Sequence, residues 1–321
     1  MKSNLSFSLQ GRDWWRVYLP YWIIIIVVEI ILQAVGSSSA WGKEHTGLSI
    51  VVQLGLTLVL WIVAMIFSIR FLRIFAPRLS FEGESFAFDG KIGEYVWLNV
   101  VGILLSTVTI GVFLPWYMRR VIDYLASKTR WRGTELTFLG RGGRLFVYML
   151  VGVWAPLIAL IVVLLSVGMR APQKEGGPGA VQLVTMLVTF VFVLYILMVF
   201  LYLLYKWYVD FSWKDVRVRW ETKFWPSFGM VLGQTVLSLI TLTVYWPAAF
   251  LTLYRYFTVR TVLTRGDAEI GRLGLEGSRG FGLLWGQTLL TIITLGFYAP
   301  WAYANVGRWL IGGTFVERAD R

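Results

Sequence analysis

The sequence predicts an all-α polytopic membrane protein, with about seven hydrophobic helical segments, some of them candidate re-entrant segments, and short β-strand pieces in the cytoplasmic loops. Three observations predict this class. Hydrophobic residues make up 57% of the chain and charged residues only 15%, whereas soluble domains average about 25% charged residues. Several uncharged runs reach about 18 residues, enough to cross a bilayer as a helix. One apolar phrase ending in proline recurs along the chain, which indicates internal repeats.

Residues 1–70 are predicted to form an N-terminal two-helix membrane segment. A short basic N-terminus leads into apolar spans at 17–35 and 48–69, which a polar loop joins. A cleaved signal peptide is the alternative interpretation of the first span. Its apolar region is long for a signal peptide and contains Glu29, so a retained helix is favoured.

Residues 71–321 are predicted to form a repeat-containing membrane domain. Its apolar spans lie at 95–118, 145–167, 181–205, 228–254 and 281–303. Four of them follow a stretch in which apolar and polar residues alternate, which indicates a short strand. These stretches are 86–90, 136–140, 216–220 and 273–277. The predicted repeat units, each a strand followed by an apolar helix, are about 80–135, 136–170, 215–265 and 271–313.

The recurring phrase marks three of these spans. It reads TIGVFLPW from Thr109, TLTVYWP from Thr241 and TLGFYAPW from Thr294. A helix that breaks after the threonine and restarts at the proline is physically reasonable, because proline fits the first turn of a helix. The phrase therefore predicts interrupted helices.

Each phrase ends a stripe of small or polar residues. Residues 13, 9 and 6 positions before the proline share one helix face, because they are four and three apart. The stripes are Gly102, Ser106 and Thr109; Gln234, Ser238 and Thr241; and Gln287, Thr291 and Thr294. One interpretation is close helix packing with hydrogen bonds between helices. The other is a polar path or binding cavity, to which the intramembrane acid Glu29 and the nearby Gln33 would also belong.

The distribution of Lys and Arg leaves two topologies open. Seven full crossings would divide the basic residues 14 to 16 between the two sides, which sets no orientation. If the three phrase-bearing segments return to the side they entered, the division becomes 27 to 3. Trp97 and Trp116, which bracket one of these spans like an aromatic belt, favour full crossings instead. Full crossings would resemble the inverted repeats of transporters.

The net charge of +12 is interpreted as contact with anionic lipid rather than with nucleic acid, because the basic residues lie in short loops beside apolar spans. The candidate lipid head-group contacts are Arg119, Arg120, Lys128, Arg130 and Arg132. The chain contains no cysteine and only one histidine, His45. We therefore expect no catalytic residues, no metal site and no cofactor.

Several of these motifs together resemble one known family. Phe86-x-Phe88-x-Gly90, the phrase from Thr109 to Trp116, and Leu136-x-Phe138-x-Gly140 resemble the YjgN-type family of bacterial inner-membrane proteins of unknown function, which are built from this repeat. The resemblance covers about residues 80–313. It implies a multi-pass protein of the bacterial inner membrane and implies no activity. The sixth span departs from the family pattern, because Thr243 replaces the glycine.

These observations predict a non-enzymatic integral inner-membrane protein that acts as a conduit or carrier for a small solute, ion or lipid. The alternative is a membrane scaffold or assembly protein that binds a membrane partner through its cytoplasmic strands and basic tails. The expected partners are membrane lipids, with a membrane protein or a second copy of the chain as further candidates. An intramembrane enzyme is disfavoured, because the sequence lacks paired acids, histidines and an activated nucleophile.

Overall fold

A computed structural model describes residues 2–36, 40–168, 180–276 and 280–318. The helices in these ranges are α1 (Gly11–Val35), α2 (Ala40–Glu44), α3 (Thr46–Phe75), α4 (Ile92–Val108), α5 (Leu114–Ser127), α6 (Gly142–Met149), α7 (Ala155–Gly168), α8 (Ala180–Tyr208), α9 (Phe224–Ile240), α10 (Trp246–Val259), α11 (Phe281–Ile293) and α12 (Ala299–Gly312). A 3₁₀ turn (Ala76–Arg78) follows α3. A π-helical turn (Leu150–Trp154) joins α6 to α7, just before Pro156, whose ring and missing N–H disrupt regular helical bonding.

The same residues contain eleven strands. They are β1 (Lys2–Phe7), β2 (Leu79–Phe81), β3 (Glu84–Phe88), β4 (Thr129–Trp131), β5 (Thr134–Glu135), β6 (Thr137–Phe138), β7 (Asp210–Trp213), β8 (Val216–Trp220), β9 (Thr261–Arg265), β10 (Ala268–Leu275) and β11 (Thr314–Arg318).

All eleven strands belong to one antiparallel sheet that nearly closes into a barrel. Its order is β5-β4-β3-β2-β1-β11-β10-β9-β8-β7-β6, so β1 lies between β2 and β11. The two end strands, β5 and β6, are consecutive pieces of one extended segment interrupted only at Leu136. The Leu136 N–H donates to the carbonyl of Thr129 in β4 at 3.0 Å. The sheet thus meets itself at residues 134–138, and closure removes the open edges that invite aggregation.

Neighbouring strands are connected alternately by a tight turn and by a pair of helices. Because the strands are antiparallel, all tight turns lie at one edge of the sheet and all helical pairs leave from the other. The helical pairs are hairpin 1 (α1 to α3), hairpin 2 (α4 and α5), hairpin 3 (α6 to α8), hairpin 4 (α9 and α10) and hairpin 5 (α11 and α12). Every hairpin returns to the edge from which it started.

The structure shows that the predicted all-α fold with seven spans is wrong. Within the described residues, four helices are long and apolar enough to cross a membrane: Gly11–Val35, Thr46–Arg78, Gly142–Leu165 and Leu183–Tyr208. The other three predicted spans break into short helices of 13 to 17 residues and returning partners of 14 residues. The strands at 84–88 and 216–220 lie close to where the alternation predicts them, but they belong to one sheet rather than to separate loops.

The division into residues 1–70 and 71–321 stays a prediction. Strand β1 belongs to the first of these segments and pairs with β2 and β11 of the second.

The two faces of the sheet differ in polarity. Trp131, Phe86 and Phe138 share one face, which is largely apolar. Trp131 of β4 and Trp213 of β7 belong to strands separated by residues 134–138, yet their rings lie 4.4 Å apart. Side chains of non-neighbouring strands converge in this way on the concave side of a closed sheet, so the apolar face lies inside.

The other face carries charged pairs. Arg217 holds Asp210 through two hydrogen bonds of 2.7 and 2.9 Å. The Arg272 guanidinium hydrogen-bonds Glu269 and lowers the pKa of that carboxyl below its ordinary value. Because the folded-state pKa is depressed, this pair stabilises the fold above the unfolded carboxyl's pKa, and the contribution is lost as the pH falls through the folded value.

The helices form a second ring above the sheet. Each hairpin packs against the next, and α12 packs against α1 to complete the circle. Met65 and Ile69 of α3 pack against Tyr95 of α4, and Leu145 of α6 packs with Trp207 of α8. The accessible surface is 19328 Å², compared with about 13,500 Å² for a compact monomer of this mass. The molecule is therefore open, and much apolar helix surface faces outward.

The sheet pairing can be tested by a disulfide, since the chain contains no cysteine. Ser6 of β1 lies opposite Ser80 of β2, with their hydroxyl oxygens 2.5 Å apart. We expect Ser6→Cys combined with Ser80→Cys to form a disulfide on mild oxidation, detected as increased mobility on non-reducing gels. The control pairs Ser6→Cys with Ser85→Cys, which lies one strand farther away on β3. Equal cross-linking of both pairs would contradict this strand order.

Candidate functional site: the short membrane hairpins

The recurring phrase forms the tips of hairpins 2, 4 and 5. In hairpin 2 the hydroxyl of Thr109 donates to the carbonyl of Leu105 at 2.7 Å and accepts the N–H of Phe113 at 3.0 Å. The Gly111 N–H returns to the Ser106 carbonyl at 2.6 Å. Every N–H from residue 109 to 114 has an acceptor within the hairpin, and the next residue, Pro115, has no N–H.

The other two tips have the same bonds. Thr241 accepts the N–H of Tyr245 at 3.1 Å, and Thr294 accepts the N–H of Tyr298 at 3.0 Å. The two residues after each threonine adopt left-handed backbone conformations, with φ of 50° and 84° in hairpin 2, 47° and 68° in hairpin 4, and 49° and 87° in hairpin 5. The second of these is glycine in hairpins 2 and 5. In hairpin 4 it is Thr243, which adopts the turn at a cost of roughly 1–2 kcal/mol.

These tips are suited to a medium without water. In hydrocarbon every backbone polar group needs a partner within the protein, and an unpaired group costs several kcal/mol. The threonine hydroxyl accepts one backbone N–H. The proline has no N–H, so it leaves one fewer donor to satisfy. The side chains at the tips are apolar and almost fully exposed: Ile110 at 92%, Leu242 at 85% and Leu295 at 84%.

Each tip packs beside the fifth residue of the helix that begins the next hairpin. The ring of Trp116 lies 5.3 Å from Phe146 of α6, Trp246 lies 6.3 Å from Trp285 of α11, and Trp301 lies 5.2 Å from Trp15 of α1. Each of these tips therefore packs against the first turns of the next hairpin.

Two tip carbonyls are bonded by the neighbouring hairpin. Trp285 donates to the Val244 carbonyl at 2.9 Å, and the Tyr18 hydroxyl donates to the Gly296 carbonyl at 3.1 Å. Helix α1 ends at Val35, seventeen residues after Tyr18, so it continues for about 25 Å beyond the tip of hairpin 5. The phrase-bearing segments return rather than cross, which is the second of the two topologies that the sequence left open.

The candidate polar stripes lie within separate hairpins. The hydroxyls of Ser106, Ser238 and Thr291 each donate to the carbonyl four residues earlier in their own helix. Gln287 accepts a hydrogen bond from Asn305 of its own hairpin at 3.1 Å. The buried Oε1 atom of Gln234 has no hydrogen-bond partner. The hydroxyl bonds thus lie within single helices and the Gln287 bond joins the two helices of one hairpin, and the polar path built from these stripes stays a prediction.

Two further contacts were missed from the sequence. The Tyr117 hydroxyl donates to Asn99 at 2.6 Å, and the Tyr117 ring lies where a side chain on Gly102 would be. The glycine of the first stripe thus makes room for an aromatic ring of the returning helix. Asn99 lies one turn before Gly102, a spacing that could have indicated a shared face.

Glu29 and Gln33 lie apart from the stripes. Both are exposed on α1, and Glu29 is eleven residues beyond Tyr18, or about 16 Å above the tip of hairpin 5. The structure does not bring them together with the residues of hairpins 2, 4 and 5.

The five candidate lipid contacts divide into two groups. Lys128 lies 3.9 Å from Glu94, Arg130 lies 3.2 Å from Asp89, and Arg132 lies 3.2 Å from Glu82. Arg119 and Arg120 of α5 are exposed and form no ion pair with a described acidic residue. Only these two remain available to an anionic ligand.

Part of the chain matches a family of known proteins. Residues 83–269, more than half of the chain, match a family described as "Bacterial protein of unknown function (DUF898)". The chain belongs to this family. As a DUF898 protein with four candidate membrane spans, it is a multi-pass protein of the bacterial inner membrane.

The curated relatives of this DUF898 chain include proteins named for that membrane. Inner membrane protein YjgN of Escherichia coli (strain K12) is 30% identical over 70 residues, covering 22% of this chain and 18% of that protein. Inner membrane protein YjgN of Salmonella typhimurium (strain LT2) is 28% identical over 69 residues, covering 22% and 18%. The chain spans less than a fifth of the length of the curated relatives it matches. No solved structure matches it.

Replacing the tip threonine tests its role. We expect Thr294→Val to destabilise the protein by about 1–3 kcal/mol, because the Tyr298 N–H loses its acceptor. Thr294→Ser keeps the hydroxyl and should retain most of the stability. Thermal unfolding in lipid nanodiscs measures both. Equal stability of the valine and serine variants would show that the hydroxyl bond is unimportant.

Cysteine labelling tests whether hairpin 2 returns. Ser85 precedes this hairpin, Glu135 follows it, and both are exposed. We expect Ser85→Cys and Glu135→Cys to be labelled by an impermeant maleimide from the same side of sealed membrane vesicles. Glu44→Cys, in the exposed connection between α1 and α3, should be labelled only from the opposite side. Labelling of positions 85 and 135 from opposite sides would mean that hairpin 2 crosses the membrane.

Proposed function

We propose that this protein is a non-enzymatic conduit or carrier for lipid in the bacterial inner membrane. The observation that carries the proposal is the unequal height of its helical ring. Hairpins 1 and 3 contain helices of up to 30 and 29 residues, whereas the entering helices of the other hairpins have 13 to 17. The shorter helices span about 20–26 Å, less than the hydrocarbon thickness of about 30 Å.

Unequal height leaves lateral openings in the ring. Hairpin 2 separates the two long hairpins on one side, and hairpins 4 and 5 separate them on the other. Beyond the tips of these short hairpins, only the long hairpins continue. Lipid acyl chains can enter the space between them directly from the surrounding leaflet.

The chemistry of the walls favours lipid over an ion or polar solute. Among the described residues of the long spans, from 17 to 35, 46 to 69, 145 to 168 and 180 to 205, Glu29 is the only charged side chain. The hydroxyl groups of the stripe residues are bonded within their own hairpins, and Gln287 accepts a hydrogen bond from Asn305 of the same hairpin. An apolar wall without a continuous polar lining suits acyl chains.

The matching tips support two further parts of the proposal. We infer that hairpins 2, 4 and 5 are copies of one unit, because their threonine bonds and backbone angles agree. We also infer that the sheet lies in the cytoplasm. Of the 26 Lys and Arg residues that the structure describes, all but Lys43 lie on the sheet side of the spans, and basic residues favour the cytoplasmic side.

Lipid exchange between leaflets tests the proposed function. The protein is reconstituted into vesicles that contain a trace of fluorescent phospholipid, and dithionite quenching measures how fast inner-leaflet lipid becomes accessible. We expect the protein to accelerate exchange at least tenfold over protein-free vesicles, without release of a trapped water-soluble dye. No acceleration, or equal release of the dye, would contradict a lipid conduit.

A charge at one tip provides the matched variant. Leu295→Asp should slow exchange several-fold, because a carboxylate at an inserted tip is costly in hydrocarbon. Ala87→Asp adds the same charge on the exposed polar face of β3 and should leave exchange unchanged. Equal effects of the two substitutions would remove the tips from the proposed mechanism.

A further inference from the structure

Basic residues of the sheet and of the helices differ in their partners. The described Lys and Arg residues of the strands and tight turns are nine in number, and eight of them form ion pairs, the exception being Lys214. Glu82, for example, holds both Arg132 and Arg318. Charge on the sheet is thus largely neutralised within the sheet.

Apart from Lys43 of α2, in the connection between α1 and α3, and Arg73 of α3, which donates to the Gly90 carbonyl, the described helices carry eight exposed basic residues that form no ion pair with any described acidic residue. They are Arg12 and Arg16 of α1, Arg70 of α3, Arg119 and Arg120 of α5, Lys206 of α8, Arg255 of α10 and Arg308 of α12. We name this set the basic collar. Each of the five hairpins contributes at least one member, so the collar follows the whole ring.

The collar spans a band of helix positions, since Arg12 is the second residue of α1 and Arg119 lies near the middle of α5. Each member is within eight residues of the end of its helix that faces the sheet, or within about 12 Å along the helix axis. Aromatic rings lie near two members: Lys206, two residues from the sheet-facing end of α8, lies 6.0 Å from the ring of Tyr202, and Arg120 lies 5.8 Å from the ring of Phe113 at the tip end of α5. Arginine beside aromatic rings at the end of an apolar span is typical of the membrane head-group region.

We infer that the basic collar binds anionic phospholipid head groups, so that the lipid handled by the ring is anionic. This inference rests on the proposed function and names its substrate class. A guanidinium binds a phosphate oxygen pair through two hydrogen bonds, and each basic residue near an anionic surface adds about 1 kcal/mol of attraction. Asp123 is the one described acidic residue of the helices near the collar that forms no ion pair, so the collar remains strongly positive.

Lipid retention tests the inference. The full chain is reconstituted into vesicles of equal parts phosphatidylglycerol and phosphatidylcholine, extracted in mild detergent, and its retained lipids are measured by mass spectrometry. We expect phosphatidylglycerol to be enriched at least threefold over phosphatidylcholine. Arg119→Gln combined with Arg120→Gln should reduce this enrichment at least twofold, and so should raising the salt concentration, which screens exposed charges.

A charge-matched control separates the collar from overall charge. Lys43→Gln combined with Lys214→Gln removes the same two charges from exposed positions outside the collar and should leave the enrichment unchanged. Equal loss in both double variants would overturn the inference.

Failure of the inference is distinguishable from failure of the proposed function. Retention and exchange of both lipids without preference would overturn the anionic selectivity and leave the lipid conduit standing. Absence of retained lipid together with absence of lipid exchange would overturn both.

Discussion

The structure depends on one constraint: a chain that turns inside a membrane must bond its own backbone groups. A turn at the protein surface can leave N–H groups to water, but a turn in hydrocarbon has no such partner. The threonine at each short tip supplies the missing acceptor, and the proline removes the next donor. Because the N–H groups of these turns are bonded within the hairpin and neighbouring hairpins bond two of the tip carbonyls, the chain can reverse in the membrane and return to the sheet it left.

The sheet and the helical ring follow from that reversal. Five hairpins that leave and return at one edge bring ten chain ends to the same level, where they pair as antiparallel strands. Among the described strands, only β5 and β6, which are consecutive pieces of one segment, lie at the ends of the strand order. The aromatic contacts between each short tip and the next hairpin then fix the order of the hairpins around the ring.

The sequence predicted individual helices and strands better than it predicted the closed sheet. The phrase at Thr109, Thr241 and Thr294 correctly indicated interrupted helices, because threonine and proline act within a few residues of each other. Alternation correctly indicated strands at 84–88 and 216–220. The closed sheet was missed because its partners are distant in sequence, as with β1 and β11, and because β5 and β6 have only two residues each, too few for a periodic signal.

For the candidate site residues too, the sequence did not reveal contacts made by folding. Spacing along a helix predicts a shared face for Gln287 and Thr291, but it does not reveal which neighbour that face meets. The structure shows that the neighbour of Gln287 is Asn305 in the same hairpin. The candidate head-group contacts were chosen by charge alone, and three of the five prove to have acidic partners. Opposite charges brought together by folding cannot be read from a local run of basic residues.

The position of β1 between β2 and β11 has a consequence for biosynthesis. Of the strands in this sheet, a ribosome makes β1 first and β11 last, and the two pair directly. The circle cannot be completed until all five hairpins have been delivered to the bilayer. During translation the growing chain therefore carries the β1 edge without its β11 partner until the final strand arrives.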